Sequence, residues 1–397
     1  MRILQLTKKF PFPLMDGESV AVHYLSKALS ELGLNIDLLS MNTSKHFFNM
    51  EDLPTNYDHY HNIYTVEVDN RVKPWTAFLN LFSLNSYHIS RFVTTSFKVK
   101  LKELLVDSSY DIILLETLYL TPYVALIRKY SNARIIMRSH NLEYEIWERM
   151  LKNMQFSLSK LYLIYLVKKL KRYELSNLNV YDYLITVTQR DLSNYVKLGY
   201  AKEGTVVPIG IEPEAYPVVD PYMGDILKLS FIGSLDWMPN MEGVSWFLNK
   251  VWNVNQDKFS NVEFHIAGRN TPKSFLKKVE KNFIIHGEVP DAKEFILSCQ
   301  VMIVPLFSGS GMRVKILEAM ALGRVVITTS LGLEGINARD KKEVLIANTV
   351  NDFIKKIKMC QNDPALMLKI GSAASRLIAS KYDNKKNAKH LIRKLKG

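Results

Sequence analysis

The sequence predicts an α/β protein made of two doubly wound, Rossmann-like domains that face each other across a cleft. Three observations carry this. The first forty residues read as strand, loop, helix, strand. Short apolar runs then alternate with helical stretches, and a second series of the same kind begins after a proline-rich stretch. At 397 residues the chain exceeds one comfortable core and suits two or three domains.

Arg2–Leu6 is a buried-strand run and Thr7–Glu18 a loop containing proline and glycine. Ser19–Leu32 reads as a helix, with Ala21, Tyr24, Leu25, Ala28, Leu29 and Leu32 on one face. Gly33 stops it and Ile36–Leu39 is the next strand. This βαβ unit implies a parallel sheet. Further strands are expected at Ile112–Leu115, Ile135–Met137 and Leu184–Val187. The run Val206–Glu212 and the prolines at 213, 217 and 221 mark the junction. This gives domains at 1–212 and 213–380, with a terminal helix over 381–397. The second series of strands is Leu229–Ile232, Val262–Ala267, Phe283–Ile285, Val301–Pro305 and Val325–Thr328. The lysine-rich end, Lys381–Lys396, reads as a solvated helix.

Composition narrows the classes. Hydrophobic residues make up 47% and charged residues 23%, an ordinary globular profile. Cys299 and Cys360 lie far apart in sequence without metal-ligand spacing, so a reducing, cytoplasmic setting fits. The sequence opens as a strand rather than a leader, so secretion is not expected. No apolar stretch approaches the roughly 18–20 residues of a membrane span. The net charge of +13 calls for anionic partners such as a nucleotide diphosphate or a lipid headgroup surface, or serves solubility alone. Leu158–Tyr173 is amphipathic with a basic end, open to peripheral contact with an anionic membrane or to core packing. The first βαβ unit has no GxGxxG and Ser40 follows its second strand, which disfavours a dehydrogenase. No P-loop is present, and no basic–aromatic nucleic-acid module accompanies the charge.

The densest chemistry lies in Val301–Glu334. A strand ends at Pro305, Ser308–Gly311 form a Ser/Gly loop, and a helix starts near Met312 or Arg313 and ends at Gly323. A glycine loop feeding a helix N-terminus presents backbone N–H groups and a positive dipole end, which suits a diphosphate. Arg313 and Lys315 add two cations there. Cations at a helix N-terminus are locally unfavourable, so an anion relieves a cost. Glu318, three residues after Lys315, is spaced either for an ordinary intrahelical pair or for a ligand.

The run GSGMRVKILEAMALGRVVITTSLGLEGI resembles the nucleotide-sugar motif of family 4 glycosyltransferases, which have the GT-B fold. The family spaces two glutamates as E-x7-E. Glu318 matches the second, which the resemblance implies grips the donor ribose, and Ser310 stands in place of the first. FIGSLDWMPN resembles the first strand and phosphate loop of the family's C-terminal domain, around Gly233 and Ser234. There Ser234 and Asn240 replace a common Arg and Lys. FHIAGRN, with Gly268 and Arg269, and IIHGEVPD resemble segments lining the base pocket. KKFPFPLMDGES resembles the loop that closes over donor and acceptor. In it Gly17 supplies a turn, and Glu18 either bonds an acceptor or caps the following helix. RSHNLEYEIW places His140 past the end of a strand, beside the donor sugar in the family. Glu116, at another strand end, is an acceptor-side candidate.

The resemblance implies a retaining, metal-independent hexosyltransferase that uses a nucleotide diphosphate sugar and makes cell-surface polysaccharide or glycolipid. His140, Arg313 and Lys315 would be catalytic. Gly17, Gly233, Ser234, Gly268, Arg269, Ser310, Gly311, Met312 and Glu318 would hold the donor, with no metal and no cofactor beyond the co-substrate. No D-x-D pair occurs, and fixed cations suffice to stabilise the leaving phosphate. A sugar-nucleotide epimerase of the same architecture and a catalytically decayed sugar-nucleotide-binding scaffold remain alternatives. Turnover without any acceptor marks the epimerase, and donor binding without transfer marks the scaffold.

Overall fold

The computed structural model describes residues 1–396 except 15, 74, 76–79, 81–82, 84, 221–223, 272–281 and 310. The chain forms two compact units, residues 1–209 with 384–397, and residues 210–383.

The first unit contains β1 (Arg2–Thr7), α1 (Gly17–Glu31), β2 (Asn35–Thr43), β3 (Asn62–Val68), α2 (Tyr87–Ser90), α3 (Thr95–Asp107), β4 (Ile112–Leu115) and α4 (Val124–Tyr130). It continues with β5 (Arg134–Ser139), α5 (Glu143–Asn153), α6 (Leu158–Ser176), β6 (Tyr183–Thr186), α7 (Gln189–Lys197) and β7 (Gly204–Val206). All seven strands pair in parallel in the order β3-β2-β1-β4-β5-β6-β7. Alternation along the strands sends Ile3, Leu38, Leu114 and Ile136 to one core, and Leu4, Leu39, Ile113 and Ile135 to the other. A parallel sheet covered on both faces needs such uniformly apolar strands. The edge strand β3, Asn-Ile-Tyr-Thr-Val-Glu-Val, was missed because it is half-exposed and carries polar side chains.

The second unit contains β8 (Leu227–Ile232), α8 (Met238–Trp246), β9 (Val262–Ala267), β10 (Phe283–Gly287), α9 (Ala292–Leu297), β11 (Val301–Val304) and α10 (Val314–Ala321). β12 (Val325–Thr328), β13 (Leu345–Ile346), α11 (Val350–Asn362) and α12 (Pro364–Lys381) complete it. Its parallel sheet has the order β10-β9-β8-β11-β12-β13. In each sheet the order reverses once, between β1 and β4 and between β8 and β11. Ligands bind beyond the strand ends at such reversals.

The final helix, α13 (Asn384–Lys396), corrects an expectation. It is not merely solvated. Ala388 and Leu391 are buried beside Leu25, Ala28 and Leu29 in the first unit's core, and Lys385 pairs with Glu31 at 2.9 Å. The lysines occupy the outer face of an amphipathic helix whose apolar stripe needs cover. The far half of α6 is likewise packed, burying Leu166, Val167 and Leu170. Among the described residues no helix is long and apolar enough to cross a membrane.

Candidate functional site

In the second unit, the ends of β8 and β9 are joined through their backbones. Gly233 N–H donates to the Ala267 carbonyl at 3.0 Å, and Leu235 N–H to that of Arg269 at 3.0 Å. A Cβ at Gly268 would lie 2.0 Å from the Gly233 carbonyl oxygen, so only glycine permits this approach. Lys315 Nζ sits next to Gly233, donates to Asn240 Oδ1 at 3.1 Å, and lies 4.4 Å from the centre of the Phe231 ring. Asn240 Nδ2 in turn donates to the Ser234 carbonyl at 2.8 Å. Asn240 and Ser234, which depart from the family pattern, thus position the lysine. Burial, reinforced by the Arg313 charge, lowers the Lys315 ammonium to about 7.

Helix α10 begins one or two residues later than expected, with Arg313 at its N-cap and no side chain capping it. Arg313 Nη1 instead reaches the Gly311 carbonyl at 2.7 Å. Gly311 and Met312 are buried in this loop, and Ser308 Oγ donates to Glu242 at 2.5 Å. Ser310 lies outside the described residues. Glu318 accepts the Tyr216 hydroxyl at 3.0 Å, and Tyr216 lies under Lys293 at 4.6 Å. Burial pushes the Glu318 carboxyl up, with Tyr216 and Lys293 opposing. Lys315 and Glu318 therefore turn to separate partners, and the intrahelical pair their spacing allows is not formed among the described residues. Arg269 is half-buried, and its neighbour Asn270 donates to Asp236 at 3.1 Å.

The first unit gathers a second group. His140 Nε2 bonds Glu116 Oε2 at 3.0 Å, and Arg138 Nη1 bonds the same oxygen at 3.2 Å. Gln5 donates to the other carboxylate oxygen at 2.5 Å and accepts from Ser26. Relative exposures are 0% for Glu116, 1% for Arg138 and 9% for His140. Burial raises the Glu116 carboxyl, but Arg138 and His140 outweigh it and leave it below its ordinary value. Glu116 is thus not open to an acceptor, as its place at a strand end suggested. It orients His140 from behind, leaving Nδ1 as the ring nitrogen for a ligand. After His140, α5 starts without a capping side chain of its own, and Glu174 from α6 accepts the amides of Glu143 and Tyr144 at 3.1 and 3.0 Å. Burial raises its carboxyl to about 8.

Gly17 is the first residue of α1 and has no positive φ, so it supplies no left-handed turn. Asp16 caps α1 by accepting from Ser19 N–H. That frees Glu18, which pairs with Lys8 at 3.1 Å. Asn240, Tyr216, Lys293 and Glu174 were missed as positioning residues. In the sequence Asn240 stands out only as a departure in the FIGSLDWMPN run, and Glu174 leaves a trace as an acid on a helix face otherwise apolar.

Residues 227–363 match the family model described as glycosyl transferases group 1. An uncharacterized 44.6 kDa protein in the cps region of Klebsiella pneumoniae is 26% identical over 303 residues, covering 72% of this chain and 74% of its own. Sucrose-phosphate synthase from Thermosynechococcus elongatus has a similar fold, with TM-score 0.72 and 15% identity over 100% of this chain and 99% of that one. Anabaena HepE in complex with UDP-glucose gives TM-score 0.64 and 12% identity over 100% and 99%. The second unit thus carries a match to the glycosyl transferases group 1 model, and the chain as a whole, with its two parallel sheets, has the GT-B fold of these solved structures.

Proposed function

We propose that the protein is a retaining, metal-independent hexosyltransferase that moves a sugar from a UDP-sugar to an acceptor hydroxyl in polysaccharide or glycolipid synthesis. The observation that carries the reading is Lys315, held by Asn240 beside Gly233 with Arg313 at the adjoining helix N-terminus. Charge develops on the leaving β-phosphate oxygen, and fixed cations with backbone N–H groups stabilise it without a metal. Glu318 binds the ribose hydroxyls, and His140 positions the transferred sugar. The UDP-glucose complex of a fold relative supports the base, and the cps-region relative supports the polysaccharide product.

A thermal-shift series with UDP, GDP, ADP and CDP, with and without EDTA, tests this. UDP at a hundredfold excess over its Kd adds about 2.7 kcal/mol of apparent stability. The shift is expected to survive EDTA and to shrink in Glu318→Ala. If no nucleoside diphosphate moves the melting point, the reading falls.

Peripheral membrane contact on the inner face belongs to the same proposal. Phe156 and Leu158 are 80% and 84% exposed, and the outer stripe of α6 runs from Leu158, Leu161 and Tyr165 to Lys168 and Arg172. Apolar insertion next to cations suits an anionic bilayer. Co-sedimentation with anionic liposomes is expected at low salt, weaker at high salt, and lost in Leu158→Asp. Absence of binding at low salt removes membrane contact.

A further inference from the structure

A pocket of about 240 Å³ opens in the first unit beyond the ends of β1 and β2. Its cations outnumber its acids. Lys8 is neutralised by Glu18, and Lys9 by Asp16. Arg91 and Lys45 also line it, and among the described residues neither has a carboxylate partner. Arg91 donates from Nη1 to the Asn70 carbonyl at 3.1 Å, while its buried Nε makes no hydrogen bond. His88 is 5% exposed, and its buried Nε2 is also without a partner among the described residues. Unpaired buried polar atoms are costly, so two of them lining one pocket point to a ligand that satisfies them. Burial, with the Arg91 charge adding, lowers His88 to about 4, which keeps the imidazole neutral and able to donate one hydrogen bond. Trp147, 4.5 Å from His88 between ring centres, lines the same pocket and supplies an aromatic surface of the kind that packs against a sugar ring.

Two unneutralised cations and an imidazole match a dianion better than a single carboxylate. We infer that this pocket binds the phosphate of a phosphorylated acceptor, with Arg91 and Lys45 as the clamp and Trp147 against the acceptor sugar. This rests on the glycosyltransferase reading only for the word acceptor.

The test uses the full chain with the donor site filled by saturating UDP, so that an added phosphate reads the second pocket. Melting shifts are recorded with glucose 6-phosphate, glucose 1-phosphate, inorganic phosphate, glucuronate and glucose. The hexose phosphates are expected to add a further shift and glucose none. In Arg91→Gln and in the surface variant Lys45→Gln, phosphate affinity is expected to fall about tenfold or more, with the UDP shift unchanged. The inference is overturned if the variants bind phosphate as the wild type does, if glucuronate binds as tightly as the hexose phosphates, or if phosphate is displaced by UDP. Loss of the UDP shift in the wild type would instead count against the donor reading, and an Arg91-dependent phosphate shift would still stand.

Discussion

Replacing Lys315 with methionine is expected to lower kcat by about 10²–10³-fold, the usual cost of losing one fixed donor to a developing oxyanion. The melting temperature should hold or rise. Lys315 is a desolvated ammonium beside Phe231 and the Arg313 charge, and among the described residues its hydrogen-bond partner is the neutral Asn240. Methionine fills similar space without that penalty. The pH dependence follows from the same environment. The folded ammonium titrates at about 7 against 10.5 for an ordinary lysine. Between those values the unfolded chain holds a proton that the folded chain lacks, so this group makes stability rise with pH across that window. The rise should be absent in Lys315→Met. A bound diphosphate restores the charge, so binding at pH 8 should take up a proton, detectable by calorimetry in two buffers of different ionisation enthalpy. Unchanged turnover in Lys315→Met would remove the lysine from the mechanism.

The largest stability loss is expected from Glu116→Ala. It leaves Arg138, 1% exposed, without its carboxylate, and unpairs His140 and Gln5 as well. Breaking a buried pair from one side costs about 3–5 kcal/mol, read as a fall in the urea midpoint. The folded carboxyl titrates below the unfolded one, so its contribution is present above the ordinary carboxylate pKa and lost as pH falls through the lower folded value. In Glu116→Gln the midpoint should fall less, while kcat drops because the amide no longer fixes the His140 tautomer. A midpoint shift under ~1 kcal/mol in Glu116→Ala would show that Arg138 finds another partner.

Both sheets were legible because parallel strands covered on two faces are short unbroken apolar runs, such as Ile112–Leu115 and Val325–Thr328. The two-residue strand β13 carries too little pattern to read. Lys315 and Glu318 were visible through the glycine loop before their helix. Their partners were not, since Asn240 and Tyr216 come from 75 and 102 residues away in sequence. Glu116 was placed at the right strand end and given the wrong surroundings. Periodicity locates a strand terminus but not the arginine one strand over that closes on it. The distribution of hydrogen bonds around Asp16 and Glu18 was equally invisible, because either acid suits the first turn of α1 by charge alone.

The placement of α13 has a consequence for synthesis. Residues 210–383 are continuous, so the second unit can close as soon as they clear the ribosome. The first unit, though made first, keeps Leu25 and Leu29 unsheathed until Ala388 and Leu391 arrive. Translation order and completion order are therefore reversed. A chain stopped just after residue 383 would yield a finished second unit tethered to an open, aggregation-prone first one.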